Sequence, residues 1–193
     1  MGMRRSLRAP MLVLLGSAGM LACQGPPTVE APAAGSGESA NVISAALRQL
    51  WQGARQNITE SADIMAEADY GFRPVDSVRT FGQILTHLAG ANYVFCSAAK
   101  GEAPPHAEAA FEETVTARDE IIKVLGESLA YCDAVYEGAT DATLAETVAQ
   151  PFGQGDGARA AVLVGNIGHL NEHYGNLVTY FRIKGIVPPS SRR

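Results

Sequence analysis

The sequence predicts an all-α domain built as a four-helix bundle. After residue 40, apolar side chains recur every three or four residues in four long segments, which is the spacing of one buried face on a helix. Glycine and proline separate these segments and mark their ends. A hydrophobic content of 47% is enough for a core. Four helices that each have one apolar face bury those faces most simply against one another.

The first predicted helix begins near Asn41. Tyr70, Gly71 and the pair Arg73-Pro74 end it, because proline and glycine interrupt helical hydrogen bonding. Its apolar stripe is predicted to contain Ile43, Leu47, Leu50, Ala54, Ile58, Ala62 and Met65.

The second predicted helix has a clear start signal. Thr80 and Gln83 have the spacing of a capping box, in which each side chain binds the other residue's backbone N–H. Gly101 and Pro104-Pro105 end the helix. His87 lies on its inward side, and the inward apolar residues are Phe81, Ile84, Leu88, Ala91 and Phe95.

The third helix is predicted from about Thr116 to Gly138, and Glu108–Thr114 is a candidate for a separate short helical turn. Its periodic residues are Ile121, Leu125, Leu129, Cys132 and either Val135 or Tyr136. The segment 143–157 alternates briefly and then turns, which predicts a small hairpin or an irregular loop. The last helix should run from about Arg159 to Lys184, with Gly185 just past its end.

The first 22 residues have the pattern of a secretory signal. Three arginines precede a short apolar run, which is too short to span a bilayer as a mature helix. The residues before Cys23 resemble the lipobox of bacterial lipoproteins, with Met20 in the place of the usual leucine. We therefore expect a signal peptide at 1–22, a lipidated Cys23 that begins a flexible tether at 23–40, and a helical domain at 41–190. An ordinary cleaved signal with a chance cysteine is the alternative.

These features place the domain in the cell envelope of a bacterium, anchored to a membrane through Cys23 on the periplasmic or extracellular side. Removal of the signal moves the formal charge from −5 to −8, because residues 1–22 contain three arginines and no acidic residue. An acidic domain without a basic stripe is a poor candidate for binding nucleic acid.

Two histidines in the last helix suggest a metal site. His169 and His173 are four residues apart, so their rings lie on one helical face, one turn apart. The stripe that contains them has no Lys or Glu, which is typical of a cavity lining rather than a solvated surface. His87 is the natural third ligand, and three imidazoles with an open fourth position suit a catalytic metal. His106, in a proline-rich loop, is left out of this set.

Two other interpretations of these residues compete with the metal site, and the second is nearly excluded. The histidines could be core residues that each hydrogen-bond to a buried partner. The sequence His169-Leu-Asn-Glu-His173 also fits the inverted zincin motif, in which the glutamate is a general base. The twenty residues after His173 contain no acidic residue, histidine or cysteine for the third ligand of such a site. Glu172 is therefore either a base beside the metal or a solvated charge.

The sequence resembles the DinB family, also called DinB/YfiT-like. The resemblance covers about residues 42–190 and rests on FRPVDSVRTFGQILTHLAGA and HLNEHYGNLVTYFRIKGIVPPSS. The family pattern has one histidine after an Arg-Pro turn, then two histidines four apart, followed by Gly and Gln or Asn with a nearby Arg and Gly. Here the second part is His169, His173, Gly175, Asn176, Arg182 and Gly185, with Asn176 where the family commonly has Gln.

The resemblance implies an up-down-down-up topology with a long crossover between helices 2 and 3. It also implies one divalent metal ion (zinc, nickel or iron) held by His87, His169 and His173. Some relatives use low-molecular-weight thiols in transfer or isomerisation, and an exported lipoprotein would have little access to them. In the implied topology helices 2 and 3 are parallel, so Cys96 and Cys132 would lie at equal depth, where they form either a disulfide or two buried thiols.

The sequence therefore predicts a metal-dependent hydrolase or transferase that acts on a small molecule by metal-activated water or thiol. Asn176 and Tyr180 would line the approach, and Glu172 and Tyr180 are the candidate catalytic side chains. The alternative is a non-catalytic metal- or ligand-binding envelope lipoprotein. A homodimer is left open.

Overall fold

The computed structural model describes residues 41–192. The signal peptide, Cys23 and the tether lie outside the described residues. The helices and strands are α1 Val42–Ile64, α2 Phe81–Lys100, α3 Arg118–Gly138, α4 Asp141–Leu144, β1 Thr147–Ala149, β2 Asp156–Ala158 and α5 Arg159–Ile183. Short 3₁₀ turns occur at Glu67–Asp69, Pro151–Gly153 and Pro189–Ser191. The strands β1 and β2 form an antiparallel hairpin, and Glu108–Thr114 consists of hydrogen-bonded turns rather than a helix.

The four long helices form a bundle in which α2 packs between α3 and α5. Contacts between α2 and α3 advance in the same direction along both helices, so these helices are parallel: Asn92 with Ser128, and Cys96 with Cys132. Contacts between α2 and α5 run in opposite directions, from Phe81 with Phe181 to His87 with His169. Since α1 runs antiparallel to α3, from Trp51 with Asp133 to Asp63 with Arg118, the order is up-down-down-up. The segment 101–117 is the predicted crossover.

Local signals set the ends of the helices. The capping box of Thr80 and Gln83 is present at the start of α2, and Gly101 ends the helix with a positive φ of 74°. The start of α1 is capped from a distance by Asp141, whose carboxylate accepts hydrogen bonds from the backbone of Ile43 at 3.1 Å and Ser44 at 2.7 Å. The short helix α4, which the sequence pattern did not predict, supplies this aspartate.

The buried face of α1 differs from the predicted stripe. Leu47, Ile58 and most other predicted residues are buried, but Ile43 and Leu50 are 63% and 62% exposed. Trp51 lies in the core instead, where it stacks on Tyr136. The apolar period alone could not separate Leu50 from its neighbour, because both positions are apolar.

No helix within residues 41–192 has the length and hydrophobicity needed to cross a bilayer.

Candidate metal centre

Three imidazole rings meet in the interior of the bundle. His87 comes from α2, and His169 and His173 come from successive turns of α5. The Nε2 atom of His169 lies 3.1 Å from Nε2 of His87 and 3.2 Å from Nε2 of His173. His87 and His173 are buried and His169 is half-buried. The structure therefore brings together all three predicted ligands.

The spacing of these nitrogens suits a single ion. Two ligands that each lie about 2.0–2.1 Å from a tetrahedral zinc are separated by about 3.3–3.4 Å. The two measured Nε2 separations are close to this value, and one nitrogen from each histidine lies within 4.8 Å of the others. Nitrogen donors of this kind suit zinc, nickel and iron. The side chains present thus fit the divalent ion that the sequence predicts.

Glu112 fixes the orientation of His87. Its Oε1 lies 2.8 Å from Nδ1 of His87, and its Oε2 accepts a hydrogen bond of 2.8 Å from Nε of Arg79. Burial alone would raise the pKa of Glu112, but the hydrogen bonds from Arg79 and His87 outweigh it and hold the pKa below its usual value. An ionised Glu112 can only accept a hydrogen bond, so Nδ1–H of His87 is the donor, which leaves Nε2 of the neutral ring free to bind an ion. A carboxylate that orients a histidine in this way is a recurrent partner of metal ligands.

The other two histidines are electrically neutral near pH 7. Burial lowers the pKa of His169 to about 3, with further contributions from the charges of His173, His87 and Arg79. Burial likewise lowers the pKa of His173 to about 4. A metal ligand must be unprotonated at its donor nitrogen, so this environment keeps both side chains in the form that binds a metal.

The Nδ1 atoms of His169 and His173 have weaker contacts than Nδ1 of His87. The Nδ1 atom of His169 is buried and has no hydrogen-bond partner within residues 41–192. The amide of Asn176 lies 3.5 Å from Nδ1 of His173. If Nε2 binds an ion, Nδ1 carries the proton, and a rotated amide would then present its oxygen to accept it.

Sequence reasoning missed Arg79 and Glu112. Both lie outside the four predicted helices, and Glu112 belongs to the crossover, whose contacts with α2 have no periodic signature. One signal was present: Gly90 interrupts the apolar sequence of α2. A methyl group at position 90 would overlap the backbone of Glu108. A glycine inside a helix can thus mark the close approach of another segment.

The candidate catalytic side chains differ in position. Tyr180 is buried, and its hydroxyl donates a hydrogen bond of 2.7 Å to the carbonyl oxygen of Arg79. Tyr180 therefore holds the backbone of the residue that binds Glu112. Glu172 is exposed and acts on the cluster through its charge, which opposes the lowering of the His173 pKa. His106 is exposed in the crossover and packs against Tyr93.

A cleft of about 640 Å³ opens beside the cluster. His173 lines it together with Arg79, Asn176 and Tyr180, and the segment 74–79 supplies an apolar wall. The volume is typical of a small-molecule site. The two residues predicted to line the approach, Asn176 and Tyr180, both line this cleft.

A second polar layer lies deeper in the bundle. Cys96 and Cys132 form a disulfide with a Cα–Cα distance of 5.5 Å, and both are fully buried. The amide nitrogen of Asn166 lies 3.6 and 3.7 Å from the two sulfur atoms. This layer joins α2, α3 and α5.

The sequence model of the DinB superfamily matches residues 50–177. A DinB-like protein from Bacillus cereus has the same fold, with a TM-score of 0.62 and 19% identity over 74% of this chain and 93% of that one. A DinB-like protein from Bacillus subtilis has a TM-score of 0.57 and 19% identity over 72% and 92% of the two chains.

A mycothiol-dependent maleylpyruvate isomerase also has this fold, with a TM-score of 0.58 and 17% identity. The alignment covers 70% of this chain and 61% of the isomerase. No curated protein sequence matches this chain significantly.

Proposed function

This chain belongs to the DinB superfamily, and we propose that it is a metal-dependent enzyme that acts on a small molecule. His87, His169 and His173 hold one divalent ion, either zinc, nickel or iron. The reaction is a hydrolysis or a nucleophilic transfer.

One observation carries the proposal: three Nε2 atoms converge, and the carboxylate of Glu112 fixes the donor atom of one of them. If the histidines were only core residues, each polar nitrogen would need its own partner. Here the three Nε2 atoms face one another instead, and the pKa values of His169 and His173 are too low for either ring to carry a charge near pH 7.

The ion would supply Lewis acidity, which lowers the pKa of a bound water or thiol and so provides a nucleophile near neutral pH. The protein supports this chemistry with a chain of contacts from Tyr180 through Arg79 and Glu112 to His87. Because each group in that chain is held by the previous one, the His87 ring is positioned before any ligand binds. Such preorganisation limits the cost of reorganisation during the reaction.

The cleft determines what can reach the cluster. Its wall combines apolar side chains of the segment 74–79 with hydrogen-bonding groups of Asn176 and Thr179 and the cation of Arg79. We therefore expect a substrate with an apolar body and an acidic or strongly polar group. The isomerase with this fold is named for a thiol cofactor, but an identity of 17% supports the fold alone. An envelope location would give little access to such a thiol.

Metal content tests the proposal. Protein purified from its own cell envelope should contain one divalent ion per chain by elemental analysis, and the His169→Ala variant should contain none. His106→Ala is the matched control, because His106 is the one remaining histidine of the four in the sequence and lies outside the cluster. Equal metal content in wild type and His169→Ala would remove the proposal.

The proposal includes a location and partners that rest on the sequence. We propose that Cys23 carries a lipid that anchors the domain to the membrane. Metabolic labelling with a radioactive fatty acid should mark the wild type and not a Cys23→Ser variant. Loss of the anchor should also release the protein from the membrane fraction. A second copy of the chain stays a candidate partner, which light scattering of the purified protein would detect.

A further inference from the structure

A second glutamate of the crossover, Glu108, lies on the other side of the His87 ring. Its Oε1 is 3.8 Å from Nε2 of His87, whereas Glu112 contacts Nδ1 of the same ring. The Glu108 side chain is 37% exposed. Its carboxylate has no other ion pair or hydrogen bond within residues 41–192. Nothing in that part of the chain therefore holds it away from the histidine cluster.

The backbone of Glu108 packs directly against a glycine of α2. Its carbonyl oxygen packs directly on Gly90, where any side chain would overlap it. Gly90 is one turn after His87 on α2. The crossover therefore delivers Glu108 to His87 by a fixed backbone contact, and only the side chain remains free to adjust.

The electrostatics of this arrangement require a positive partner. The His87 ring lies between two carboxylates, with Glu112 at Nδ1 and Glu108 near Nε2. When Nδ1 donates to Glu112 and Nε2 carries no proton, Nε2 and the carboxylate of Glu108 are two acceptors that repel unless a cation lies between them. When all three rings carry their proton on Nδ1, the three converging Nε2 atoms repel in the same way. A divalent cation satisfies all of these acceptors at once.

We propose that Glu108 is a fourth, anionic ligand of the metal ion. This inference rests on the proposed metal site and extends it from three imidazoles to three imidazoles and one carboxylate, so that the water or substrate atom of the proposed reaction would bind at a fifth position. Carboxylate oxygen and imidazole nitrogen occur together in sites for zinc and iron. The carboxylate also neutralises part of the ion's charge, so it should contribute to affinity as well as to geometry. The half-exposed side chain would have to rotate to reach the ion, because its oxygen lies 3.8 Å from Nε2 of His87.

Metal affinity of Glu108→Gln tests the assignment. Glutamine keeps the shape of the side chain and removes the charge, and Glu113→Gln is the matched control because Glu113 is exposed in the same crossover. Competition with a chromogenic chelator for Zn²⁺ should give a Kd at least about 100-fold higher for Glu108→Gln, the upper end of losses seen for groups that only support a ligand. Glu113→Gln should bind as the wild type does. Glu108→Asp, which keeps the charge on a shorter side chain, should fall between them.

The visible spectrum of the Co²⁺-loaded proteins gives a readout independent of activity. Replacement of a carboxylate ligand should change the intensity and position of the absorption bands in Glu108→Gln only. An unchanged Kd and an unchanged spectrum would overturn the assignment while the three-histidine site stands. An unchanged Kd with lost turnover would place Glu108 in the reaction rather than on the metal, and would also overturn it. If the wild type binds neither Zn²⁺ nor Co²⁺, the proposed function itself fails.

Discussion

Two buried polar layers lie in this bundle, and both include residues of α2 and α5. The histidine layer consists of His87, His169 and His173. The disulfide layer consists of Cys96, Cys132 and Asn166. On α2 the layers are nine residues apart, and on α5 Asn166 is three residues before His169. Both layers place polar atoms in the interior of the bundle, yet their contacts differ in kind.

The disulfide layer is closed. Both cysteines and Asn166 are fully buried, and the Asn166 amide also lies 3.4 Å from the Tyr136 hydroxyl. Its groups largely satisfy one another, although Oδ1 of Asn166 has no partner within residues 41–192. The histidine layer instead has three ring nitrogens that face one another and a cleft at its side. Buried polar groups that satisfy one another stabilise the bundle, whereas ring nitrogens that converge beside an open cleft point to a ligand.

The largest loss of stability is expected when the disulfide is removed. The bond closes a loop with a sequence separation of 36, so the double variant Cys96→Ala/Cys132→Ala should lose about 4 kcal/mol of unfolding free energy. Urea denaturation measures this loss. The metal Kd should stay unchanged, because neither cysteine contacts the histidines. Intact mass with and without reductant and alkylation checks the bond itself, and free thiols in the unreduced protein would contradict it.

The next largest effect is the loss of metal affinity when a histidine of the cluster is removed. A structural zinc site is worth about 10–16 kcal/mol, or roughly 2.5–4 kcal/mol for each of four ligands, so His169→Ala should weaken metal binding by about 70-fold or more. Calorimetric titration of metal into the purified variant measures the change. The melting temperature of the metal-free protein should move far less than in the cysteine variant. A stability loss as large as that one, with metal affinity retained, would make the histidines core residues.

A smaller effect is expected from Glu112, which supports the histidine layer without joining it. Glu112→Gln removes the charge that orients His87 and should raise the metal Kd by about 10- to 100-fold. Glu113→Gln controls for the loss of one negative charge from the crossover. The same titration reports both variants, and equal affinities would show that Glu112 has no part in the site.

The last expected effect is a pH dependence of the unfolding free energy in the metal-free protein, and it is small for each pH unit. Burial lowers the folded-state pKa values of His169 to about 3 and His173 to about 4, from an ordinary value of 6.5. Between pH 6.5 and about 4 the unfolded chain therefore binds more protons, and the free energy of unfolding falls as pH falls. The slope is at most about 1.4 kcal/mol per pH unit for each histidine, and is reduced because His169 is only half-buried.

Urea denaturation at several pH values measures that slope. A His169→Gln/His173→Gln variant should lose it, and the cysteine variant should keep it. A slope that is the same in the histidine variant and the wild type would contradict the burial of neutral imidazoles.

Much of the fold followed from local patterns in the sequence. The capping box at Thr80 and the positive φ of Gly185 set helix ends as predicted, because such signals act within one turn. The predicted stripe on α1 contained Leu50, but the adjacent Trp51 is the buried residue. Two neighbouring apolar residues differ only in what packs against them. The short helix α4 was missed although Thr140 and Thr143 form a capping box at its start. Its contact with α1 through Asp141 spans 97 residues of sequence and has no local signal.

The sequence likewise predicted part of the candidate site. The three histidines could be found because two share a helix face and one faces inward on another helix. Glu112 and Glu108 could not, because they lie in the crossover, where no repeating spacing indicates which side chain meets α2. Gly90 was the available indication that some segment approaches there. Long-range placement of irregular segments is set by packing that a single sequence does not display.

Anomalous diffraction from a crystal of the metal-loaded protein, recorded at the absorption edge of the bound metal, shows whether the three histidines hold one ion. We expect one peak per chain, about 2.0–2.1 Å from Nε2 of His87, His169 and His173. A peak elsewhere on the molecule, or a loaded protein whose three rings do not share one ion, would contradict it.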